Sequence, residues 1–227
     1  MLPDEAARHV QVLRLQPGMP VVVFNGQGGE HAAAVLQIGR REVHVEVGAH
    51  QSVERELPCA VTLALGMPAN DRMDTLVEKA TELGVAAIQP LVCERSVLRL
   101  AGDRANRRRE HWQGIAVAAC EQSGRTRVPH VEPVRRLPEW LAGLHHGDER
   151  WMLSLAAGAR PLHAISADLP GRDLKVLSGP EGGLTLDEEQ AALAADFRPV
   201  DLGPRVLRAD TAPLAVLAFV GLLQLRR

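Results

Sequence analysis

Leu174-Lys-Val-Leu-Ser-Gly-Pro-Glu-Gly-Gly-Leu-Thr-Leu186 places an apolar strand, a glycine-rich turn and the start of a helix in one continuous run. Leu174 to Leu177 has the short apolar pattern of a buried strand, and Leu186 to Ala195 that of a helix. Where strands alternate with helices, ligands sit outside the carboxyl ends of the strands. A single glycine satisfies a tight strand-to-helix turn. Gly179-Pro180-Glu181-Gly182-Gly183 has three, and glycine lets a backbone approach a ligand closely. The loop therefore reads as a binding element. No Gly-Lys-Ser/Thr follows and no GxGxxG is present, so neither standard phosphate-binding loop applies.

The flanking sequence extends this pattern in both directions. Toward the carboxyl end, a strand around Phe197 to Asp201 leads into Leu202-Gly203-Pro204-Arg205-Val206-Leu207-Arg208-Ala209-Asp210-Thr211-Ala212, then a helix over Asp210–Leu223. Asp210 or Thr211 is expected to cap that helix, and two arginines beside a ligand loop point to an anionic partner. Toward the amino end, strands are expected at Cys59–Leu65, Ala86–Val92 and Trp151–Leu155, with helices at Asp71–Leu83 and Asp103–Gln122. This alternation predicts a parallel sheet covered on both faces. Before Pro58 the pattern differs: Met19–Phe24, His31–Ile38 and Glu42–Val47 read as short strands joined by tight turns, one of them Asn25-Gly26. A small β-barrel follows, preceded by a short helix at Arg8–Leu15. The boundary falls in the polar stretch Gly48–Pro58, giving domains over 1–52 and 58–227.

Composition removes several function classes. The 227 residues carry a net charge of −2 and only six aromatics, three Phe and three Trp. Modules that stack several bases on rings are disfavoured. Cys59, Cys93 and Cys120 form no CxxC, so they read as small buried residues in a reducing cytoplasm. The start lacks the basic-then-apolar layout of a signal peptide. The most apolar stretch, Ala212 to Leu225, spans about 14 residues against roughly 20 for a membrane span. His145-His146 is the only close histidine pair and sits in a polar loop without converging ligands, so no metal site is expected. The whole-chain charge gives no hint of nucleic acid, but it conceals a local excess. From Arg95 to Arg127 eight arginines face Asp103, Glu110 and Glu121, a balance of +5.

The two loops resemble those of bacterial 16S ribosomal RNA methyltransferases that modify N3 of a uridine, in the SPOUT, or α/β-knot, superfamily. Arg14-Leu-Gln-Pro-Gly18 and Phe24-Asn25-Gly26 resemble that family's N-terminal PUA-like barrel. Asp74-Thr-Leu-Val-Glu78-Lys79-Ala-Thr-Glu82-Leu83-Gly84, Pro90-Leu-Val-Cys-Glu94-Arg95-Ser96 and Ala118-Ala-Cys-Glu121-Gln122-Ser-Gly124-Arg125 resemble its catalytic domain. Two departures stand out: Asp210 occupies a position where the family often has Glu, and the family's further N-terminal strand is abbreviated.

The resemblance implies an α/β fold whose C-terminal SPOUT domain is tied in a trefoil knot, with S-adenosylmethionine bent in the knot. Adenine would be held by backbone groups of Leu177, Gly179, Leu202, Val206 and Leu207. Gly179, Gly182, Gly183 and Gly203 would leave room, and Pro180, Glu181, Arg205, Thr211 and Ala212 complete the cofactor set. Arg208 and Arg205 are the catalytic candidates, because a guanidinium stabilises the charge that spreads onto O2 and O4 when uracil N3 loses its proton. Glu181 and Asp210 are candidate bases. RNA contacts are expected from Arg14, Asn25, Gly26, Arg95, Arg107, Arg108, Arg109 and Arg125. The implied partners are 16S ribosomal RNA or the small ribosomal subunit and a second copy of the chain, without metal or membrane. A ribose 2′-O-methyltransferase of the same superfamily, or a non-catalytic ribosome-assembly factor, are the alternatives.

Overall fold

The structure, a computed structural model, describes residues 1–40, 42–69, 72–145, 147–165 and 172–223. Asp71, His146 and residues 224–225, which figured in the expectations above, lie outside them. The chain divides into two compact units, Met1–Arg55 and Glu56–Arg227.

In the first unit, helix α1 (Asp4–Val12) precedes an antiparallel sheet of β1 (Pro20–Val23), β2 (Glu30–Ile38) and β3 (Val43–Gln51). The helix starts four residues before the expected Arg8. Asp4 and Glu5 occupy its first turn, where carboxylates complement the helix dipole. It ends earlier because Arg14 adopts a left-handed φ of 52°. Ala7 and Val10, one turn apart on α1, bury against Val35 and Val43 of the sheet. The turn at Asn25-Gly26 is held by the Gln27 N–H, which donates to Asn25 Oδ1 at 2.9 Å.

The second unit begins with β4 (Val61–Gly66), α2 (Arg72–Glu82), β5 (Ala87–Val92) and α3 (Gly102–Ser123). It continues through β6 (His130–Val131), β7 (Arg135–Arg136), α4 (Leu137–Ala142), β8 (Glu149–Leu153), β9 (Arg160–Pro161) and α5 (Leu162–Ile165). It closes with β10 (Leu174–Ser178), α6 (Leu186–Ala194), β11 (Arg198–Asp201) and α7 (Thr211–Leu223). The strand order is β6-β5-β4-β10-β8-β11-β9, with β7 also on β5, and every pairing is parallel. The sequence pattern gave no sign of β6, β7 and β9, because two-residue strands are too short to show a period.

Both sheet faces are covered, as the alternation of side chains shows. Val61, Leu63 and Leu65 of β4, with Leu174 and Val176 of β10, pack with Met73, Leu76, Val77 and Ala80 of α2, Trp112 of α3 and Val216, Leu217 and Val220 of α7. Ala64 and Leu177, pointing the other way, join Leu137, Trp140, Ala192 and Phe197 on the opposite face. Helix α7 thus belongs to the hydrophobic core of this unit, and no helix of the described residues is long and apolar enough to cross a membrane.

Arg125, expected at an RNA surface, is buried instead, with 4% of its surface exposed. Its Nε donates to Glu56 Oε1 at 3.1 Å and its Nη1 to the Thr81 carbonyl at 2.8 Å, while Nη2 pairs with Glu56 Oε2. All three nitrogens of this buried guanidinium are engaged, which ties the start of the unit to α2 and keeps it from phosphate. Removing one partner of a buried pair strands the other charge. Arg125→Met is therefore expected to lower the urea unfolding free energy by about 3 kcal/mol, with RNA affinity of the folded protein unchanged. Burial also pushes the Cys93 thiol up to about 12 and the Cys120 thiol up to about 11. An aromatic disulfide reagent at neutral pH should leave both unreacted until the protein unfolds.

Candidate functional site

Because the strands are parallel, β4, β5, β8, β10 and β11 present their carboxyl ends along one edge of the sheet. The segments leaving that edge enclose a cavity of about 650 Å³, a volume typical of small-molecule sites. Leu153 to Leu155 run from the end of β8, Ser178 to Leu184 from the end of β10, and Val200 to Gly203 from the end of β11. Arg205 to Ala209 and Ala212 lead into α7, and Arg72 and Arg95 reach in from the segments after β4 and β5.

The glycine-rich loop is shaped by its neighbours. Gly183 N–H donates to the Pro180 carbonyl at 2.8 Å, closing a turn. Pro180 lies directly on Gly66 at the end of β4: a Cβ on Gly66 would stand 2.5 Å from Pro180 Cδ. Glu181 Oε1 accepts from the Ala69 N–H at 3.0 Å and from Arg72 Nη1 at 3.3 Å. Arg95 Nη1 donates to the carbonyls of Gly182 and Leu184 at 3.0 and 3.2 Å. Glu188 closes a capping box with Thr185 at the start of α6, and its other oxygen accepts from the Glu94 N–H at 2.8 Å. Segments after β4 and β5 thus hold the loop from outside.

In the second loop, Gly203 N–H donates to Asp201 Oδ1 at 3.0 Å. Gly203 has φ +103°, a conformation that strains any L side chain, and no atom lies within 4 Å of where its Cβ would be. Arg205 and Arg208 are exposed on the cavity wall, and neither guanidinium makes a hydrogen bond or ion pair with the described residues.

The structure brings together Gly179, Pro180, Glu181, Gly182, Gly183, Leu202, Gly203, Arg205, Val206, Leu207, Arg208 and Ala212. It keeps Leu177, Asp210 and Thr211 off the wall. Leu177 is fully buried in β10, paired with Ala64 and Met152. The expected helix cap at Asp210 or Thr211 is not formed. Asp210 Oδ1 accepts from the Thr211 hydroxyl, the Thr211 and Ala212 N–H groups both go to the Arg208 carbonyl, and Pro213 has no N–H to offer. The glycines also divide by role. A Cβ on Gly179 would meet Leu184 N at 3.0 Å and one on Gly182 would meet Arg95 Cβ at 3.1 Å, so these two serve the loop's own packing. Gly183 and Gly203 have open space instead.

Arg95, grouped by sequence with the α3 arginines, stands at this cavity. Arg14, Asn25 and Arg107 are exposed, and Arg108 and Arg109 are partly covered. Arg109 Nε donates to the Val131 carbonyl at 2.9 Å and so braces α3 against β6. Arg72, Ser154, Asp201 and Glu189 also line the cavity and carried no motif; their position beside strand ends was the available signal. Among the described residues no cluster of His, Cys, Asp and Glu is disposed to hold a metal. Gly66→Ala is expected to displace the 179–183 loop and to raise amide hydrogen exchange there at least tenfold, while far-ultraviolet circular dichroism stays native.

Comparison with known proteins agrees with this geometry. Residues 55–221 match the family of RNA methyltransferase domains, and residues 2–48 match the RNA methyltransferase PUA domain. Ribosomal RNA small subunit methyltransferase E of Bacillus subtilis is 33% identical over 96% of this chain and 87% of its own length. The Synechocystis enzyme of the same name is 34% identical over 94% of this chain and 69% of its own. The crystal structure of the Neisseria gonorrhoeae ribosomal RNA small subunit methyltransferase E, bound to S-adenosyl methionine, superposes with a TM-score of 0.91 at 39% identity, covering 98% of this chain and 90% of that one. With its parallel α/β core, its PUA-matching N-terminal sheet and this extent of identity, the chain belongs to the RNA methyltransferase family of ribosomal RNA small subunit methyltransferase E.

Proposed function

We propose that this protein transfers a methyl group from S-adenosylmethionine to N3 of a uridine in 16S ribosomal RNA of the small subunit. The observation that carries the reading is the pair of guanidiniums, Arg205 and Arg208, without partners among the described residues, on the wall of a cavity framed by two glycine-containing loops. The relatives' shared name supplies the RNA, and the cofactor bound to the Neisseria enzyme supplies the methyl donor.

The residues present fit that cofactor. Gly183 and Gly203 have no neighbour within 4 Å of a Cβ position, and the backbone of Gly179, Leu202, Val206 and Leu207 offers amide and carbonyl groups for an adenine edge. When bound, S-adenosylmethionine supplies an electrophilic methyl group on a sulfonium sulfur. Uracil N3 is protonated at neutral pH and is then a poor nucleophile. Loss of the proton to solvent base spreads negative charge over O2 and O4, and a guanidinium on the cavity wall stabilises that charge. Arg208 takes this role, with Arg205 beside it. Glu181 is a holding group, since one of its oxygens is already shared by Ala69 and Arg72. In the first unit, exposed Arg14 and Asn25 offer donors to RNA; in the second, Arg107 on α3 does so. The reading includes the superfamily's trefoil knot, a cytoplasmic setting and a homodimer. For the last, α7 offers Leu222, 61% exposed, beyond the side chains its own core uses.

Radiolabelled S-adenosylmethionine, incubated with small ribosomal subunits or 16S RNA, should yield 3-methyluridine on nucleoside analysis. A ribose-methylated product would replace the reading. Arg208→Ala should lower kcat by about 100-fold while the cofactor Kd stays within about twofold of the original. Near-normal turnover would remove Arg208 from the chemistry.

A further inference from the structure

Two arginines outside the glycine and Leu202–Ala212 loops stand at this cavity: Arg72, the first residue of α2, and Arg95, just after β5. They flank the glycine-rich loop on the side of β4 and β5, while Arg205 and Arg208 occupy the loop that leads into α7. Buried Ser178, Leu184 and Val200 form an uncharged part of the wall, and Asp201 and Glu189 are the carboxylates that line it besides Glu181. Arg72 leaves 43% of its side chain exposed. One donor, Nη1, is spent on Glu181, and a guanidinium has five. Glu181 in turn is anchored by the Ala69 N–H, so its carboxylate cannot swing away with the arginine. The ion pair therefore fixes where the guanidinium stands and leaves its remaining N–H groups uncommitted among the described residues.

We propose that Arg72 is a substrate-positioning residue that binds an RNA backbone phosphate beside the target nucleotide, with Glu181 as the group that aims it. The proposal rests on the methyltransferase reading of the cavity. A base entering a pocket brings its own flanking phosphates to the rim, and exposed guanidiniums on both rims match that disposition. An anion held between Arg72 and Arg95 would place the strand across the glycine loop. Arg99, also exposed, donates to the Glu94 carbonyl at 2.9 Å and adds a guanidinium to the same segment. Arg72 itself carries no part of the methyl transfer; it sets where the RNA lies.

The test measures binding of small-subunit ribosomal RNA to the full chain over a salt series, beside calorimetric binding of S-adenosylmethionine. Arg72→Gln should weaken RNA binding about five- to tenfold and reduce the slope of log affinity against log salt by about 1, with cofactor Kd unchanged. Arg72→Lys should restore the slope, because it keeps the charge. In kinetics the Gln variant should raise KM for RNA more than it lowers kcat. An unchanged salt slope overturns the proposal. So does a parallel loss of cofactor binding in both variants, which would make Arg72 a brace for the loop. The methyltransferase reading fails separately, if the unaltered protein transfers no methyl group, and that result is visible before any variant is compared.

Discussion

Backbone hydrogen bonding of β10 to β4 on one side and to β8 on the other places residues 179–185 at the middle of the sheet's carboxyl edge. The register is continuous, from Leu174↔Val61 to Ser178↔Leu65, so no freedom remains in where the loop emerges. Because β10 is central, the loop has neighbours on every side: the segment after β4 below Pro180, the segment after β5 beside Gly182, and the Leu202–Ala212 loop across the cavity. A strand at the edge would have left the same glycines in solvent. The buried apolar residues of β10 hold this placement, with Leu174 and Val176 on one face and Leu177 on the other, all fully buried. Each such side chain contributes about 1.5–3 kcal/mol on burial.

Electrostatics then sorts a population of arginines that look alike in the sequence. Arg125 engages all three of its nitrogens inside the fold, and Arg109 gives its Nε to the Val131 carbonyl; both brace the fold. Arg95 spends one nitrogen on two carbonyls of the glycine loop and stays exposed. Arg205 and Arg208 spend none among the described residues. The distinction is burial: a guanidinium out of water must have its donors satisfied, whereas one on a cavity wall can await an anion. A local excess of positive charge is thus a mixture of structural and functional groups, and the −2 total is silent on both.

The resemblance read from the two loops was upheld by the family match across both units. The long elements were legible because their periods are long enough to register. Helix α2 shows Met73, Leu76, Val77 and Ala80 on one face, and those side chains are buried in the core. The helix cap at Asp210 or Thr211 misled for a local reason: Pro213 removes a donor, and the Arg208 carbonyl takes the N–H groups that a cap would have used. Gly66 drew no notice at all. It ends a strand without a turn motif, and its purpose appears only when Pro180 is packed on it from a segment more than a hundred residues away.

The amino-acid sequence by itself determined the alternation of strands and helices, the change of pattern between Gly48 and Pro58, and the two loops that carry the family resemblance. These are properties of neighbours along the chain, set by side-chain period and backbone freedom. Only the tertiary structure decided which arginines are free, which glycines make room and which merely permit packing, and that Glu181 holds Arg72. Each of those depends on contacts between residues distant in sequence, and such contacts exist only once the parallel sheet has brought five strand ends to one edge.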